Sequence, residues 1–171
     1  SAQRAKLITI ADNLNDIERA ERIAAELLLT VNIDKISYFL ISSCIGSQLY
    51  YKQLNDRAYL WLCNAITKGD GSCLNSHLLL IYHQLSCIIG DSDKERSLEY
   101  SEKAVELATK KDKMLPLEQV KTYGELGITQ CLAGKPISDV YDSFNAGARV
   151  LLDSQSDSIH WRALFMSFGH A

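Results

Sequence analysis

At 171 residues, with 47% hydrophobic and 23% charged residues, the chain has the length and composition of one globular domain rather than of a disordered segment. A net charge of -3 argues against a nucleic-acid footprint, and no apolar run approaches membrane-spanning length. Cys44, Cys63, Cys73, Cys87 and Cys131 are an odd set lying mostly in apolar patterns. They read as small core residues in a reducing compartment, so the protein is expected to be cytoplasmic.

In chain order, apolar residues spaced by three and four predict helices over 2–13, 16–31, 35–54, 57–68, 74–89, 93–111, 117–134, 137–153 and 157–170. No strand-type alternation interrupts them, so an all-α fold in one domain over 1–171 is expected. Ser92 with Glu95 reads as a capping box for the sixth helix. Pro116 and Pro136 fall in the first turns of the next two, where a missing N–H costs nothing. Gly90 and Gly134 close the helices before them. Lys110, Lys111 and Lys113 gather at a helix C-terminus, where the dipole favours cations, and read as structural. Beginning at Ser1 and ending inside an expected helix, the chain reads as a fragment of a longer protein.

Catalytic and cofactor motifs are missing. Gly69 and Gly71 lack the rest of a phosphate-binding fingerprint, and GDGSC at 69–73 lacks the oxygen ligands of a calcium loop. Cys73, His77, His83 and Cys87 are metal-ligand types, but a helix carries Cys73 and Cys87 about 21 Å apart, with the two pairs on different faces. No metal, no cofactor and no enzymatic activity are therefore expected.

Similar hairpins recur at intervals of about forty residues. Ala24, Ala65, Ala104 and Ala148 occupy comparable places in successive second helices. Tyr123, Leu126 and Gly127 are followed by Gly134 at a turn and by Val140 and Phe144. Tyr82, Leu85, Ser86 and Ile89 precede SLEYSEKAVELA; Ile45, Gly46 and Leu49 precede Ala58, Leu62 and Ala65; Leu7 and Ala11 precede Ala20 and Ala24. The pattern resembles the tetratricopeptide repeat, whose first helix carries W-x2-L-G-x2-Y and whose second carries A-x3-F. The resemblance implies an α-solenoid of about four hairpins plus a C-terminal helix. It also gives a reason for the small face of Leu98, Ser101, Ala104, Val105 and Ala108, since such repeats let paired helices approach closely.

From Ile36 to Gly90 the only charged residues are Lys52, Asp56, Arg57, Lys68 and Asp70, while Tyr38, Phe39, Tyr50, Tyr51, Tyr59, Trp61 and Tyr82 crowd the same stretch. Two accounts fit: helices sandwiched between neighbours, or a face that binds a partner. The family resemblance implies the second, a protein–protein interaction scaffold that cradles a peptide or helix. Its first-helix candidates are Ser43, Ser47, Tyr50 and Tyr51, then His83 and Cys87, then Ile128 and Cys131. The alternative is a regulatory sensor that binds a small molecule or signalling peptide for an attached effector. Neither nucleic acid nor membrane is an expected partner. Trp161, Phe165 and Phe168, with Leu164, form an apolar stripe near the C-terminus and are candidates for self-association.

Overall fold

The computed structural model describes residues 16–29, 33–72, 74–110 and 114–154, apart from the side chain at position 110. The helices expected over 2–13 and 157–170, with Cys73, Trp161, Phe165 and Phe168, lie outside the described residues. Seven helices are described: α1 Ile17–Leu28, α2 Lys35–Tyr51, α3 Asn55–Lys68, α4 Asn75–Ile89, α5 Lys94–Lys110, α6 Pro116–Leu132 and α7 Ile137–Asp153. Among the described residues there is no strand, and no helix is long and apolar enough to cross a membrane. The chain forms two compact units, Ser1–Gln84 and Leu85–Ala171, with α4 contributing to both.

In the first unit, α2 and α3 form an antiparallel hairpin around Gly46. A Cβ there would lie 2.7 Å from Leu62 Cγ and 3.2 Å from the Leu62 backbone nitrogen, so the helices touch where a side chain is missing. Toward the open end, a Cβ on Gly69 would lie 2.7 Å from Phe39 Cα, and Asp70 N–H donates to Lys35 O at 2.9 Å. Phe39, Ile45, Leu49, Ala58, Leu62 and Ala65 are buried between them. α1 packs on α2 with Ile17, Ala20, Ala24 and Leu27 buried, one face at helical spacing. Its polar side is tied to α3. The Glu21 carboxylate accepts hydrogen bonds from the Arg57 guanidinium and, at 2.7 Å, from Trp61 Nε1, and Glu18 lies 3.6 Å from Arg57.

In the second unit, the end of α4 meets α5 through serines. Ser86 Oγ lies 2.9 Å from both Ser97 Oγ and Ser101 Oγ, and Ser97 Oγ donates to Ser86 O at 2.9 Å. All three residues are buried, and each hydroxyl has a partner, as burial requires. α6 and α7 pair around Gly127, where a Cβ would lie 2.6 Å from Phe144 Cε2. Val120, Val140, Phe144 and Leu151 form the core there. Ala104 is buried, whereas at the last recurrence Gly147 takes the buried place and Ala148, one residue on, is half-buried.

Two helix ends share one geometry. After α6, Gly134 N donates to Cys131 O and Lys135 N to Gln130 O, with Gly134 at φ 69°. After α2, Gln53 N donates to Tyr50 O and Leu54 N to Leu49 O, with Gln53 at φ 61°. Both are Schellman motifs, but the second places a Cβ-bearing residue in the left-handed region. Two expected starts shift. Asp93, not Ser92, caps α5 by accepting from Arg96 N at 3.0 Å, because Ser92 Oγ donates back to Ile89 O. Pro136 stands at the N-cap of α7 rather than inside its first turn.

Gly127→Leu is expected to destabilise the protein by about 1–3 kcal/mol or more through overpacking. Gln53→Gly is expected to stabilise it by up to about 1 kcal/mol, by removing the left-handed Cβ penalty. Chemical denaturation checks both: a midpoint unchanged by Gly127→Leu would show that the crossing tolerates bulk. A midpoint lowered by Gln53→Gly would show that its turn is unstrained.

Candidate functional site

α2 is apolar on every side. Its sequence from Ile36 to Tyr51, ISYFLISSCIGSQLYY, contains no charged residue. Phe39, Ile41, Ser42, Ile45, Gly46 and Leu49 are buried. The other side stays in water: Ile36 is 42% exposed, Leu40 39% and Tyr51 64%, with Cys44 and Ser47 half-buried between them. These five recur at three- and four-residue intervals and form one stripe about 22 Å long. Tyr50 sits beside its end, half-buried, its ring edge-on to Tyr51 at 5.6 Å.

Ser47 also marks a seam with α4, donating to Gln84 Oε1 at 2.8 Å. Gln84 is buried, and its Nε2 lacks a hydrogen-bond partner, as does the buried Ser42 Oγ. Leu80, one turn before Gln84, is 40% exposed and His83 is half-buried, so α4 adds apolar surface within the same unit.

The expected partner-binding residues separate into groups. Ser47, Tyr50 and Tyr51 lie on or beside the α2 stripe and His83 precedes Gln84 in α4, whereas Ser43 is buried with its hydroxyl donating to Leu40 O at 3.1 Å. In the second unit, Cys87 is exposed and its thiol donates to Glu125 Oε1 at 3.2 Å, joining α4 to α6. Ile128 is half-buried one turn beyond Glu125, but Cys131 packs on the Val120–Phe144 core instead. Ile36, Leu40, Cys44 and Glu125 were absent from the sequence-derived set. Glu125 is half-buried between buried Gly124 and buried Leu126, a placement that its spacing in the sequence does not announce.

Burial pushes the Glu125 carboxyl above its ordinary pKa, with the Cys87 hydrogen bond offsetting part of the rise. Among the described residues no cluster of three His, Cys, Asp or Glu side chains could hold a metal ion. No protein-family model matches the chain, and neither a curated protein nor a solved structure matches it.

A carboxyl whose pKa is raised by folding stabilises the fold below its unfolded pKa, and that contribution disappears as pH rises through the folded value. Glu125→Gln keeps an oxygen acceptor for Cys87 without the charge. It is therefore expected to raise the melting temperature at pH 7 and to flatten its fall above pH 4.5. Equal melting temperatures for the two proteins at pH 7 would overturn this.

Proposed function

We propose that this protein is an interaction module: a tetratricopeptide-like array of helical hairpins that takes a partner's helix on the exposed stripe of α2. One observation supports the binding role above the rest. A helix that is hydrophobic all round is normally buried all round, yet α2 keeps Ile36, Leu40 and Tyr51 in water. Exposed apolar area costs roughly 25 cal/mol per Å², which a partner covering the stripe would recover. Interface centres favour tyrosine and are depleted of charge, and this stripe has both properties.

The surroundings favour a helix as the bound element. Strand addition needs a sheet edge, and the described residues include no strand. Recognition of an acidic or phosphorylated motif needs an arginine or lysine cluster, and the stripe carries no charge. A helix laid along apolar anchors spaced by three and four needs only what α2 supplies. Support for the array comes from the crossings: Gly46, Ser86 and Gly127, forty and forty-one residues apart, each stand where a first helix meets the helix after it.

Selection from a displayed library of amphipathic helices tests the binding role. Tyr51→Ala is expected to weaken the selected helix about thirtyfold, the effect of losing a 2 kcal/mol hot spot, with unchanged circular dichroism. Helices that bind wild type and Tyr51→Ala equally well would exclude the stripe as the site.

A further inference from the structure

No further inference is drawn: the strongest candidate, the open cavity of about 230 Å³ between α5 and the α6–α7 turn, where Glu95, Glu99 and Glu102 stand with Lys135 around Leu98 and Ala133, is a cluster of exposed carboxylates on a solvated helix face, and nothing in the structure points to a ligand for it.

Discussion

Everything in this fold depends on how closely one helix can approach the next. Contact is set at single positions where bulk is absent, and the chain uses two chemistries to reach the same distance. Gly46 and Gly127 remove the side chain altogether, so Leu62 and Phe144 seat directly on backbone. Ser86 keeps a hydroxyl, and α5 answers with Ser97 and Ser101. The glycine crossings gain dispersion contacts and expose no polar atom to desolvation. The serine crossing gains directional bonds but would leave orphaned hydroxyls if any register shifted, so it specifies alignment more strictly than leucine would.

This mode of packing leaves a surplus of apolar surface. Once α2 has buried Phe39, Ile45, Gly46 and Leu49, its outer stripe offers water no charged residue, only the hydroxyls of Ser47 and Tyr51. Among the described residues, this unit holds two buried polar atoms without a hydrogen-bond partner, Ser42 Oγ on α2 and Gln84 Nε2 on α4. Each costs about 1–3 kcal/mol by desolvation. A surface retained at the expense of stability is where function is expected to reside, and α2 carries both an exposed apolar stripe and the unpartnered Ser42 hydroxyl.

Helix positions were legible in the sequence because α1 and α7 are strongly one-sided: Ile17, Ala20, Ala24 and Leu27 announce their face by spacing alone. The crossing residues Gly46 and Gly127, and the buried Ala104, were legible for a related reason, since a small residue on an apolar face implies a close neighbour. The binding face was not. A helix apolar in all directions has no phase, so nothing in its spacing separates exposed Leu40 from buried Ile41. Ser43 was placed outward for the same reason, and the structure buries it. Ser92 and Asp93 are both competent caps, and the choice between them is made by Ile89 O, which engages Ser92 first.

Each unit also carries a carboxyl tie between helices, and folding shifts the two carboxyls in opposite directions. Burial works to raise the Glu21 pKa, but hydrogen bonds from Arg57 and Trp61 and the charge of Arg57 outweigh it, leaving the carboxyl below its ordinary value. Glu125 has a thiol rather than a guanidinium for its partner, so burial prevails and its pKa rises. The stabilisation from Glu21 is present above the unfolded pKa and is lost as pH falls through the folded one; that from Glu125 is present below the unfolded pKa and is lost as pH rises through the folded one. Acid therefore loosens the tie of α1 to α3, whereas at Glu125 it relieves the cost of burying a charge. The difference traces to the partner: Arg57 gives Glu21 both a hydrogen bond and a positive charge, whereas Cys87 gives Glu125 a hydrogen bond alone.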